Sequence, residues 1–130
     1  MRKATRFVVV FIIMVLIGVT GFNWWSAKIV SEAVALEDIP TDVSEVAAGT
    51  YEGHSELGPV IVDVKVTVRN GIMTEVEIIK HQNGLGNAAN TITRDMVDKN
   101  TYDVDAISGA TVSSEVIMNA VNNALQKGVR

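Results

Sequence analysis

The clearest pattern in the chain is an alternation built on valine. Val60, Val62, Val64, Val66 and Val68 alternate with Ile61, Asp63, Lys65, Thr67 and Arg69. Period two predicts a half-buried strand with a wholly valine inner face. Asn70-Gly71 follows, the strongest short signal for a hairpin turn. Ile72, Thr74, Val76 and Ile78 then alternate with Met73, Glu75, Glu77 and Ile79, which predicts the return strand. The antiparallel hairpin has one polar face and one face that needs cover. Thr50-Tyr51-Glu52-Gly53 reads as a short first strand, so the folded domain begins near Gly49.

The period then changes. Ala88 to Lys99 is a weak helical pattern with Ile92, Met96 and Val97 on one side. Val112 to Gln126 is a stronger one. Val112, Val116, Ile117, Ala120, Val121, Ala124 and Leu125 recur at helical spacing, and Gly128 lies just past the end. Strands, helix, loop, helix is an α+β order. It predicts an antiparallel sheet with a central hairpin covered by two helices. About 80 residues make a thin core for such a domain.

The N-terminal pattern is different in kind. Phe7 to Phe22 is apolar apart from Gly18, Thr20 and Gly21, and Trp24 and Trp25 follow Asn23. With its aromatics the stretch approaches the roughly 20 residues a bilayer crossing needs. Arg2, Lys3 and Arg6 precede it, and no acid lies among the first 25 residues. The positive-inside rule puts the N-terminus in the cytoplasm and the domain outside, with the Trp pair in the outer interfacial belt. A cleaved signal peptide has a similar charged start and apolar core. Here the small-x-small stretch Ser31-Glu32-Ala33 lies well past the core, and the bulky Trp pair stands where cleavage is expected. An uncleaved signal-anchor fits better. A buried core helix fits poorly, because nothing polar marks a solvent face from Phe7 to Val19. Acids are scattered between Ser26 and Ala48, and Pro40 interrupts this stretch, so it reads as a connector. Ala27 to Leu36 can carry the membrane helix outward until Pro40 ends it. The expected divisions are residues 1–25 as the anchor of a single-pass cell-membrane protein, 26–48 as linker, and 49–130 as the extracytoplasmic domain.

Composition narrows the chemistry. The 130-residue chain has no cysteine, which excludes disulfides, thiolate metal sites and a lipidated N-terminal Cys. Net charge is −4, and without Arg2, Lys3 and Arg6 the balance is 8 basic to 15 acidic residues, or −7. An acidic domain with scattered Lys and Arg is a poor nucleic-acid binder. Two histidines and dispersed acids give no metal-ligand spacing. Gly53-His54-Ser55-Glu56-Leu57-Gly58 is not a G-x-S-x-G elbow, so hydrolase chemistry lacks support.

One segment carries specific chemistry. Asp105-Ala106-Ile107-Ser108-Gly109-Ala110-Thr111, then Val112-Ser113-Ser114, puts a hydroxyl nucleophile on a small-residue loop ahead of a helical pattern. The five fixed residues of D-x-x-S-G-A-T arise by chance at on the order of one in a million positions. Gly109 and Ala110 leave the backbone open to close approach. The Thr111 oxygen is a weak nucleophile until a base or metal activates it, and no general base stands beside it in sequence. A helix N-terminus suits an anion. The bland alternative is that Ser108, Thr111, Ser113 and Ser114 only cap a helix.

The segment resembles the attachment signal of the FMN-binding domain family. Resemblance extends over roughly Gly49 to Lys127. Gly49-x-Tyr51-x-Gly53 looks like the family's opening strand, and Val60 to Lys80 like its central hairpin. His81 with Gly84-Leu85-Gly86 looks like the turn that follows. The resemblance implies FMN esterified through its phosphate to Thr111 by a flavin transferase, with Asp105, Ser108, Gly109 and Ala110 forming the signal. His81 can contact flavin or phosphate, since a histidine can donate and carry charge near neutral pH. Gly84 and Gly86 form a lone G-x-G, weak as a phosphate loop, that allows a tight turn or close approach of a ring. For His81 a solvated strand-end residue is the competing reading. Members in large redox complexes usually carry an acid-Thr-Pro element before their Gly-x-Gly. Here the stretch is His81-Gln82-Asn83-Gly84, so the chain is similar to the short, membrane-anchored form. The expected function is a covalent flavoprotein that passes electrons in a respiratory or extracellular chain, to a protein or quinone partner. It is a carrier rather than a complete enzyme. A non-redox binding or assembly module of a membrane complex is the alternative.

Overall fold

A computed structural model of the protein describes residues 2–34, 39–82 and 89–130. The chain runs through helix α1 (Arg2–Val34), strands β1 (Gly49–Leu57), β2 (Val60–Arg69) and β3 (Ile72–Gln82), and helices α2 (Ile92–Lys99) and α3 (Thr111–Gln126). The strands form one antiparallel sheet in the order β1-β2-β3. The α+β architecture is the one the patterning predicts.

Helix α1 holds a 21-residue stretch, Thr5–Trp25, long and apolar enough to cross a membrane. Its large side chains are bare: Phe7, Phe11, Leu16, Phe22 and Trp24 are all more than half exposed. A core helix of a soluble domain would bury such a face. The helix continues past the Trp pair, as the pattern before Pro40 suggests.

The valine face of β2 is the floor of the core. Val60, Val62, Val64, Val66 and Val68 are all buried, and the alternate residues are not. Helix α3 lies over β1 and β2, while α2 packs on β3. Gly53 explains how closely α3 can approach. A Cβ built there would stand 1.9 Å from the Ala120 carbonyl oxygen and 2.8 Å from the Ala124 Cβ. Only glycine lets the two backbones meet at that distance. The Asn70-Gly71 turn has positive φ at both residues, 53° and 70°, as a two-residue type I′ hairpin requires.

The return strand departs from simple alternation. Met73 is fully buried, whereas Ile72 is exposed. Register slips between Thr67 and Val68, and again between Asp63 and Val64. Thr74 and Ile79 are the extra residues, and each slip turns the following side chains over. Val76 and Ile78 therefore face the core, and beyond Ile79 the inward phase passes to His81.

The residues before β1 belong to the packed body more than their composition suggests. Asp42 caps a short 3₁₀ turn over Val43–Glu45, and its bonds from the Ser44 side chain and backbone hold its carboxyl below the usual range. Val43 and Val46 are buried, and Val46 bridges to Val129. The Ile39 carbonyl accepts from the Asn122 and Gln126 side chains at 2.9 and 3.0 Å. Residues 39–48 of the stretch read as connector are thus tied to α3 and to the residues that follow it.

Candidate functional site

The motif loop is a tight turn locked to the helix behind it. The Ala110 N–H donates to the Ile107 carbonyl at 2.9 Å, so Ser108 and Gly109 are the central residues of a β-turn. Gly109 has φ of +82°, which fits the third position of a type II turn and calls for glycine there. A Cβ at Gly109 would meet nothing within 4 Å. The glycine is thus required by its backbone conformation, and the space before it is open.

Ser114 holds this turn in place. Its fully buried hydroxyl donates to the Ala110 carbonyl at 2.8 Å and accepts the Ile107 N–H at 3.0 Å. The same carbonyl takes the Ser114 N–H at 2.9 Å. Both ends of the Ile107–Ala110 turn are therefore tied to one residue in the first turn of α3. Ser114 is not a helix cap, and neither are its neighbours. Ala110 occupies the N-cap position, and no side chain caps the helix. The capping account of Ser108, Thr111 and Ser113 fails on that observation. An uncapped N-terminus leaves donor N–H groups and a positive dipole end for an anion.

Thr111 is the first residue of α3 and is half-buried. Asp105 and Ser108 are exposed. Asp105 makes no hydrogen bond or ion pair among the described residues, so it does not fix the loop. Ala110 is buried and anchors the turn apolarly.

His81 comes to the same end of the domain. Helix α3 runs against β1 in the opposite sense: Gly128 meets Tyr51, Ala120 and Ala124 meet Gly53, and Asn119 accepts from the Ser55 hydroxyl at 2.8 Å. Its first turn therefore points toward the Leu57 end of β1. Leu57 pairs with Val60, and His81 pairs with Val62. The His81 ring is half-buried, with Nδ1 2.7 Å from Asn90 Oδ1. Asn90 lies in the 3₁₀ turn Ala89–Thr91, which packs on α3. Nε2 is buried and has no hydrogen-bond partner among the described residues. The solvated strand-end reading of His81 does not hold. The bulge at Ile79 that turns it inward has no signature in the alternation. Gly84 and Gly86 lie outside the described residues.

Sequence reasoning missed two participants. Asn90 carries no local signal for pairing with His81. Ser114 sits inside the motif, but its hydroxyl reads as one more cap until the loop is folded back on it. On the polar outer face, His54 pairs with Asp63 at 2.6 Å and is mostly exposed, as a solvated surface histidine should be. No metal-binding cluster occurs among the described residues.

No curated protein matches the chain. The family model of the FMN-binding domain matches residues 58–126, just over half of the 130-residue chain. The match takes in the valine strand, the His81 bulge, the locked turn and Thr111 with the whole of the helix it begins, and on that ground the chain belongs to the FMN-binding domain family and is a flavin-binding protein.

Proposed function

We propose that the protein is a membrane-anchored flavoprotein that carries FMN esterified to Thr111 and passes electrons outside the cytoplasmic membrane. The observation that carries this reading is the placing of the Thr111 hydroxyl. It stands on the first residue of an uncapped helix, behind a turn that Ser114 locks and that open space surrounds at Gly109. The residues present fit the group: a helix N-terminus suits a phosphodiester, and the orphaned His81 Nε2 is a polar atom left for a ligand.

Attachment needs little from this chain beyond presentation. Thr111 Oγ1 loses its proton and forms a bond to phosphorus, while the anhydride bond of an activated flavin nucleotide breaks and its leaving phosphate keeps the electron pair. A flavin transferase supplies the base or metal that activates the hydroxyl. Asp105, exposed and unengaged, is the recognition handle for that enzyme. Bound flavin supplies the redox chemistry, and the protein holds and tunes it. Helix α1 acts as an uncleaved anchor, with Arg2, Lys3 and Arg6 on the cytoplasmic side. A covalent link suits a cofactor that would otherwise be lost from the cell.

Intact-mass analysis after co-expression with a flavin transferase tests the assignment. Wild-type protein should gain one esterified FMN and turn yellow. Thr111→Val keeps the β-branched shape without the oxygen and should gain none, whereas Thr111→Ser should retain some. Flavin mapped to Ser108, Ser113 or Ser114 would overturn the site. A wild-type protein that stays colourless and unmodified would favour a non-redox assembly module.

A further inference from the structure

We infer that His81 is a contact to the flavin ring, accepting a hydrogen bond at Nε2 from the ring N–H at position 3. The inference rests on the flavin reading above. It starts from the ring's other nitrogen. Asn90 Oδ1 can only accept, so at 2.7 Å the His81 Nδ1 must donate. In the neutral imidazole this fixes the tautomer and makes Nε2 an acceptor. That acceptor is buried with no partner among the described residues. A buried polar atom without a partner is costly and calls for a ligand or ion.

The fold spends two local features on this arrangement. The bulge at Ile79 turns His81 from the solvent face to the core face, opposite Val62. The Ala89–Thr91 turn, which packs on α3, then brings Asn90 against His81. His81 stands at the end of the sheet toward which the first turn of α3, with Thr111, points. A cofactor fixed by its phosphate to Thr111 has its ring as the free end. The pyrimidine edge of an oxidised flavin offers one N–H donor, at position 3, between two carbonyls. A neutral histidine acceptor matches that donor and no other atom on that edge. His81 is thus a positioning residue for the ring. It sets which way the ring faces and touches neither the ester nor the transferase chemistry.

Nitrogen NMR of the full chain in detergent reads the contact directly. Unloaded protein, protein loaded with FMN and protein loaded with 3-methyl-FMN are compared, each checked by intact mass. On FMN loading the His81 Nε2 resonance should move in the direction of an accepted hydrogen bond, with Nδ1–H unchanged. 3-Methyl-FMN, which lacks the donor, should load on Thr111 yet leave Nε2 where it was. A fully loaded protein with unmoved Nε2 would overturn the contact and leave the flavin reading intact. So would a change that appears only after reduction, which would place His81 against the ring nitrogen at position 5. Protein that takes up no FMN in any form would end both readings. His81→Leu provides the second arm. In its loaded fraction, quantified by intact mass, the visible flavin bands should shift from wild type, whereas an unshifted spectrum would count against the contact.

Discussion

Two side chains in the motif loop have separable jobs. Asp105 is exposed and holds nothing in the described fold. Asp105→Ala should therefore lower flavin loading by the transferase while leaving the unfolding midpoint within about 0.5 kcal/mol of wild type, the usual range for a surface change. Intact mass and denaturant unfolding check the two halves, and normal loading would remove Asp105 from recognition. Ser114 is the reverse case. Its hydroxyl is fully buried and makes two bonds to the loop backbone. Ser114→Ala leaves the Ile107 N–H without that partner and should cost about 1–3 kcal/mol. Loading of this variant should slow, because the turn before Thr111 loosens, and amide exchange at Ile107 should quicken. Unchanged exchange there would show that the latch does not hold the turn.

Elements meet in this fold through a few close contacts. Gly53 is the point where β1 and α3 touch backbone to backbone. Gly53→Ala puts a methyl group 1.9 Å from the Ala120 oxygen, and overpacking of this sort costs about 1–3 kcal/mol or more. Since α3 carries Thr111 on its first turn, both stability and loading should fall together. Stability equal to wild type would mean that α3 can slide freely on the sheet. Asn100 is the other tie. It ends α2 with φ of 53°, accepts the Met73 N–H at 2.7 Å and donates to the Gly71 carbonyl at 3.1 Å. It thus fastens α2 to the hairpin turn. Asn100→Ala loses both bonds and should destabilise by about 1–3 kcal/mol. Asn100→Gly keeps the left-handed backbone and loses only the bonds, so it should be milder. Denaturant midpoints of the pair separate backbone conformation from side-chain bonding.

The whole molecule is an acidic domain on an apolar helix. Residues 39–48 dock on the domain through Ile39, Val43 and Val46, so little free tether remains between helix and body. With α1 as the proposed anchor, a cofactor bound to this body would lie near the membrane surface, within reach of the proposed quinone or membrane partner. The charge asymmetry of the N-terminus predicts the side. Protease added to intact spheroplasts should digest residues 39–130 and spare α1. Full protection would put the domain in the cytoplasm and overturn the proposed location.

The sequence by itself determined the elements and singled out a candidate nucleophile. Alternating valines, an Asn-Gly turn, two helical periods and an apolar N-terminal run are local patterns, and local sterics and burial are enough to translate them. Thr111, the proposed attachment residue, was legible because its motif is contiguous. Tertiary structure decided the rest. The two bulges of β3 have no mark in the alternation, because a bulge depends on which neighbour the strand pairs with. They alone turn Met73 and His81 inward. The Ser114 latch, the His81–Asn90 pair and the docking of Val43 and Val46 join residues whose partners lie across a turn or on another element. Their worth comes from packing and desolvation, which no local pattern records.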